Sequence, residues 1–304
     1  MKPSLTSTFW ANDRLRLVVT ASCNLDCFYC HNEGQPKADS FISDSLFDRI
    51  TELIHLAPPQ SVTFTGGEAL LHPRIEYFVR AIKLQCPSVT LVTNGILLTE
   101  ERLGKLVDAG IGKIRLGVDS FARNKSRPSR GMSPAFNPAQ LIARIQDQAV
   151  ELEINVVLTA FNITEIPAMF RFCAENKISA KIFEHVEVAQ FGTSSSMAQM
   201  KRKPIVEFSQ LEAALKQSGI PFDTKEAPEF AGANFILQGD GFSWRYCRYL
   251  CPFGLCYMTG TRIDSTGEAY ACMEKRFVET LSLSGELAAD RDKLARIRNL
   301  GCCR

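Results

Sequence analysis

Leu15-Arg16-Leu17-Val18-Val19-Thr20-Ala21-Ser22-Cys23-Asn24-Leu25-Asp26-Cys27-Phe28-Tyr29-Cys30 is the stretch around which the rest of the chain is organised. Leu15–Thr20 is an apolar run bounded by polar residues, the pattern of a buried strand. Three cysteines follow at x3 and x2 spacing, on what is then a loop at the strand's C-terminal end. Three thiolates converging there can hold three irons of a [4Fe–4S] cube. A cube held by cysteine alone needs four, so the fourth iron stays open to another ligand. A zinc site is the competing reading, but it usually shows two Cys-x2-4-Cys pairs rather than a lone triplet.

Outward from this loop the chain alternates strand and helix. Helical stripes are expected over 42–56, stopped by Pro58-Pro59, and over 72–85, 100–109, 138–149, 165–176 and 207–217. Strands are expected over 61–65, 89–93, 113–118, 152–159 and 178–186. That order predicts an α/β fold of parallel strands with right-handed crossovers. Residues 121–137 and 190–203 read as long loops or linkers. Beyond Pro221 the pattern changes to hairpins over 235–246 and 261–270, with a terminal helix over 286–300. The expected organisation is a lead-in over 1–12, a main unit over 13–189, a bridge over 190–234 and a C-terminal unit over 235–304.

The 304 residues carry a net charge of +2, with 45% hydrophobic and 22% charged residues. This is ordinary for a globular chain and gives no pull toward nucleic acid or membrane. No run approaches the ~20 apolar residues of a membrane span. The N-terminus lacks a signal pattern, so a cytoplasmic location is expected. Eleven cysteines without a secretion signal point to metal ligands rather than disulfides. Cys86 and Cys173 stand alone and read as buried core residues. Cys247, Cys251, Cys256 and Cys272 form a second constellation. The hairpin between Cys256 and Cys272 brings its ends together, so these two can share a centre, with Cys251 as third ligand and Cys247 a candidate fourth. A zinc hairpin is the alternative there.

Cys23-x3-Cys27-x2-Cys30, with Tyr29 before the last cysteine and Gly66-Gly67-Glu68 one helix later, resembles the radical S-adenosylmethionine (SAM) superfamily. The resemblance implies a partial (β/α)6 TIM-like barrel with its site at the C-terminal strand ends, and a small C-terminal hairpin-plus-helix auxiliary iron–sulfur domain. It implies that SAM chelates the open iron and is cleaved to a 5′-deoxyadenosyl radical that abstracts hydrogen from substrate. It also implies cofactor contacts at Tyr29, Gly66, Gly67, Glu68, Thr93, Asn94, Gly117, Asn155 and Val186, and a second [4Fe–4S] cluster on the second cysteine constellation. A flavodoxin- or ferredoxin-type protein would supply the electron.

Within the superfamily most of the chain resembles the GTP 3′,8-cyclase family, through Arg16, the run Cys23–Gly34, the Gly66–Glu68 loop, Thr93-Asn94-Gly95, Glu153-Ile154-Asn155 and Phe183-Glu184. Departures fall where that family grips its nucleotide. Thr63 stands for an arginine, Glu153 for a lysine, and Met258 and Gly260 for two arginines. Arg16 and Glu153 are therefore expected substrate contacts in an enzyme with a different small-molecule substrate. Glu153 would suit an amine, a guanidine or hydroxyls. GTP cyclisation, peptide modification and a non-catalytic electron carrier are the other readings.

Overall fold

The computed structural model describes residues 8–121, 136–185, 206–227, 234–248, 260–271, 280–283 and 285–299. Val186, Cys251, Cys256 and Cys272 lie outside the described residues, as do Met258, Cys302, Cys303 and the segment over 190–203.

Six strands of the main unit run β1 Arg14–Val18, β2 Ser61–Thr65, β3 Ser88–Thr93, β4 Lys113–Gly117, β5 Glu151–Leu158 and β6 Ser179–Glu184. Each pairs in parallel with the next. The helices are α1 Asp44–Leu56, α2 Ile75–Lys83, α3 Glu100–Asp108, α4 Pro138–Gln146 and α5 Ile166–Glu175, then α6 Phe208–Lys216 and α7 Leu287–Asn299. Local chemistry sets their starts. Ser43, Thr99 and Asn137 accept backbone N–H groups of the first turns of α1, α3 and α4. The second helix begins at Ile75, three residues later than the periodicity predicts. Ala69–Leu71 is a separate short 3-10 turn, and the His72 ring accepts from Arg74 N at 3.2 Å before α2 begins.

Within β4, β5 and β6 apolar and polar residues alternate. Ile114, Leu116, Ile154, Val156, Ala180 and Ile182 are buried in the core, while Lys113, Arg115, Glu153, Asn155 and Lys181 fall on the opposite face. Parallel strands covered on both sides read as continuous apolar runs. Among the described residues these are covered on one side only, and the other face is polar. That is the partial barrel: a curved parallel sheet that does not close among the described residues.

The later strands are β7 Asp223–Glu226, β8 Phe235–Gly239, β9 Phe242–Cys247, β10 Thr261–Ile263, β11 Glu268–Tyr270 and β12 Leu281–Ser282. They extend the same sheet at both ends, giving the order β12-β11-β10-β1-β2-β3-β4-β5-β6-β9-β8-β7. β10 lies parallel to β1 and β9 parallel to β6. β7 and β12 carry no sequence signal. Every residue of β7 is exposed, so no apolar alternation marks it. The lead-in is packed from residue 8: Trp10 is fully buried and its Nε1 donates to Ala57 O at 2.6 Å. Cys86 and Cys173 are buried, and desolvation pushes their thiols up to about 11 and about 12.

Candidate active site

The cysteine loop leaves the C-terminal end of β1, where strand ends of a parallel sheet collect ligands. Thr20 no longer pairs with β2 but bridges to Phe41 and donates its hydroxyl to Ser40 O at 2.7 Å, which turns the chain outward. Cys23, Cys27 and Cys30 are half-buried and none is in a disulfide. Leu25 N donates to Cys23 Sγ at 3.4 Å and Asn32 N to Cys30 Sγ at 3.3 Å. Backbone N–H groups aimed at sulfur support a thiolate that carries metal charge. Among the described residues no three His, Cys, Asp or Glu side chains close on a single point.

Gly66-Gly67-Glu68 lies directly under this loop. Gly67 N donates to Thr20 O at 2.9 Å and Glu68 N to Ser22 O at 2.8 Å. A Cβ on Gly66 would sit 2.5 Å from Thr20 O, and one on Gly67 2.2 Å from Ser22 O. The space left by the glycines is thus filled by the backbone leading to Cys23. The Glu68 carboxylate is buried beneath, accepting from Leu70 N at 3.0 Å, Thr93 Oγ1 at 2.8 Å and Asn94 N at 2.7 Å. Burial raises its pKa against these donors. Glu68 therefore braces β3 against the loop. Asn94 carries the brace onward, donating to Asn24 Oδ1 at 2.8 Å with its Nδ2 4.0 Å from Cys23 Sγ.

The remaining expected residues gather at the ends of β4 and β5. The Tyr29 hydroxyl donates to the Asp119 carboxylate, which also accepts Val157 N at 3.2 Å. Gly117 pairs in register with Asn155. Asn155 Oδ1 is sealed from solvent and has no hydrogen-bond partner. A buried acceptor left without a donor is rare and marks a place for a missing partner.

Two clusters escaped the sequence reading. Glu33, at the end of the cysteine loop, accepts from Arg16 at 2.5 Å, Thr65 Oγ1 at 3.0 Å and Arg262 Nε at 3.3 Å. Its backbone O accepts the Tyr270 hydroxyl at 2.8 Å. Burial works against the carboxylate's charge, but Arg16 and then Arg262 overcome it and hold the group well below the usual carboxylate range. Arg16 does face inward, yet its guanidinium is committed to Glu33. The second cluster surrounds Glu153. Its carboxylate lies 2.9 Å from Arg115 Nε, 3.0 Å from Lys181 Nζ and 4.0 Å from Lys113 Nζ. The carboxylate expected to receive a cationic substrate group is already engaged by the protein's own cations. Cys247 ends β9, and burial pushes its thiol up to about 11.

Three cysteines at a parallel strand's end, a glycine-backed loop sealed against them and an unsatisfied acceptor nearby form a candidate cofactor site. The sequence profile of the radical SAM superfamily matches residues 17–173, and the chain belongs to that superfamily. Membership of the superfamily implies SAM and a [4Fe–4S] cluster as cofactors. Curated relatives include a probable GTP 3',8-cyclase from Pyrococcus horikoshii, 29% identical over 174 residues that cover 56% of this chain and 55% of that protein. Another, from Thermoplasma volcanium, is 27% identical over 85% of this chain and 79% of its own length. The chain spans about half the length of the first curated relatives it matches. Streptococcus suis SuiB bound to precursor peptide SuiA superposes with a TM-score of 0.64 at 16% identity, over 94% of this chain and 66% of SuiB. That likeness shows the shared fold. No helix among the described residues is long and apolar enough to cross a membrane.

Proposed function

We propose that the protein abstracts a hydrogen atom from a small-molecule substrate held inside the partial barrel, in a biosynthetic reaction. Cys23, Cys27 and Cys30 would hold the cluster, and Asn155, Asn94, Thr93, Gly117, Tyr29 and the Gly66–Glu68 loop would position SAM. When bound, cluster and SAM together supply a one-electron cleavage that delivers a 5′-deoxyadenosyl radical. The chain's own residues do the positioning. Glu68 and Asn94 fix the cysteine loop from below, Tyr29 ties it to the end of β4, and the helices seal the far side of the sheet from water. The observation that carries the reading is the sealed, unpartnered Asn155 Oδ1 beside Gly117 at the C-terminal strand ends. The second cysteine group, Cys247 with Cys251, Cys256 and Cys272, would hold an auxiliary cluster, and a flavodoxin- or ferredoxin-type donor would reduce the first.

The test is anaerobic reconstitution, reduction and counting of 5′-deoxyadenosine with size-fractionated cell extract. A low-molecular-mass fraction is expected to raise production above the uncoupled rate, and GTP alone is expected not to. Stimulation by GTP would make the protein a GTP 3',8-cyclase, as its relatives are named. Stimulation only by a peptide fraction would favour peptide modification.

A further inference from the structure

Just past Cys30 the backbone is strained. Asn32 and Glu33 both take left-handed angles, with φ of +45° and +54°, and Gly34 follows at +90°. Glycine and asparagine enter this region readily; glutamate does not, because its Cβ crowds the following carbonyl oxygen. The turn has a consequence at the cysteine. Asn32 N donates to Cys30 Sγ at 3.3 Å, and that N–H lies in the peptide plane whose tilt the Asn32 φ sets. Glu33 is held in the turn by distant segments. Arg16 at 2.5 Å and Thr65 Oγ1 at 3.0 Å grip one carboxylate oxygen, Arg262 Nε at 3.3 Å grips the other, and the Tyr270 hydroxyl donates to the backbone O at 2.8 Å. Arg262 stands opposite Arg16 in the parallel β1–β10 register, so both guanidiniums reach one carboxylate. Arg262 Nη1 also donates to Ala271 O at 2.9 Å, just past β11.

We propose that Arg262 and Tyr270 are positioning residues for reduction of the cluster that Cys23, Cys27 and Cys30 would hold. Acting through Glu33, they keep the Asn32 N–H on Cys30 Sγ. Hydrogen bonds to a cluster's sulfurs favour its more negative, reduced state, so they raise the potential at which it accepts an electron. What glutamate adds, at a position whose backbone suits glycine better, is the carboxylate that these groups grip. The inference rests on the reading that the three cysteines hold the cluster. It makes the C-terminal hairpin part of the electron-accepting site without any contact to the iron.

The experiment is a dye-mediated redox titration of the anaerobically reconstituted full chain. Its readout is the paramagnetic signal that SAM perturbs, which selects the first cluster over a second one. Charge and geometry give opposite expectations. By charge alone, Glu33→Gln would raise the midpoint potential, because a negative group has gone, and Tyr270→Phe would leave it unchanged. With the turn held as proposed, both lower it. Glu33→Gln should cost about tenfold in the equilibrium constant for reduction, about 59 mV for one electron. Tyr270→Phe should shift it the same way by less. Arg262→Lys keeps the charge but loses the planar fork that reaches Glu33 and Ala271 O together, and should lower it too. A midpoint that rises in Glu33→Gln, or that stays in place in Tyr270→Phe and Arg262→Lys, overturns the proposal. Tyr270→Phe removes a single hydroxyl, so it carries the test if Glu33→Gln loads little iron. Wild-type protein with no SAM-perturbed signal fails the underlying reading and this inference with it; loaded protein with unmoved midpoints fails this inference alone.

Discussion

Glu33→Gln is the substitution that most directly probes how the site is held. The Glu33 side chain is 8% exposed and Arg262 is 6% exposed, while Arg16 retains 20%. Glutamine keeps the shape and removes the charge. Arg262 then stays buried without the Glu33 carboxylate, while its donation to Ala271 O at 2.9 Å is retained. Breaking a buried ion pair by removing one member costs about 3–5 kcal/mol. Arg16 can turn to solvent, so the loss should fall near the lower end, about 3 kcal/mol. Urea unfolding followed by circular dichroism measures it. The companion variant Glu33→Gln with Arg262→Met removes both buried charges and should recover most of the loss, because the penalty belongs to a buried guanidinium that has lost the Glu33 carboxylate.

The same pair makes a pH prediction whose sign can be worked out. Glu33 is held below its unfolded pKa, so the folded state binds fewer protons than the unfolded one as acid is added. Its contribution is full above an unfolded value of about 4.3 and declines as pH falls from there toward the lower folded value. In Glu33→Gln the slope of unfolding free energy below that pH should flatten by up to about 1.4 kcal/mol per pH unit. A single variant that costs under about 1 kcal/mol, or a double variant no more stable than the single, would refute the view that a buried charge network fixes the loop.

Three further outcomes follow from the geometry. Gly67→Ala forces a Cβ to 2.2 Å from Ser22 O, so the loop must shift; a loss of about 1–3 kcal/mol and lower iron retention after desalting are expected. Gly104→Ala meets nothing within 4 Å on α3 and should stabilise by about 0.5–1 kcal/mol, read as a raised melting temperature. Asn155→Leu removes a buried oxygen that has no partner, so melting without SAM should hold or rise by up to about 1 kcal/mol while the SAM-induced stabilisation shrinks. A lowered SAM-free melting point with an intact SAM response would count against that assignment.

The parallel core was legible because strand and helix alternate with clear stops, such as Pro58-Pro59 after α1. The cysteine loop and its glycine partner were legible because metal ligation and close backbone approach demand particular residues at short spacing. What escaped depends on contacts between distant segments. Glu33 pairs with Arg262 across 229 residues, and nothing local to His31-Asn32-Glu33-Gly34 announces it. Glu153 read as a lone reversed charge because its cations sit on β4 and β6, and only strand register brings Arg115 and Lys181 beside it. One signal was available. Lys113-Ile114-Arg115-Leu116-Gly117 and Glu151-Leu152-Glu153-Ile154-Asn155 alternate strictly, which parallel strands covered on both faces do not. Read as interior-facing polar rows, they give both the open face and the pairing of Lys113 and Arg115 with Glu151 and Glu153 across it.

The C-terminal segment ties these features together. A six-stranded parallel sheet ending at β1 and β6 would present two bare edges, each a template for unwanted pairing. β10 covers the first and β9 the second. The outermost strands are then β12, of two residues, and β7, wholly exposed and largely charged, both poor templates. Covering the edges also serves the site. β10 delivers Arg262 to Glu33, β11 delivers Tyr270 to the same residue's backbone, and β9 sets Arg245 beside Lys181. The segment that ends in the second cysteine group thus completes the wall of the first site. Loosening β10 would uncover β1 and leave Glu33 with Arg16 and Thr65 but without Arg262, so edge protection and cysteine-loop geometry depend on the same pairing.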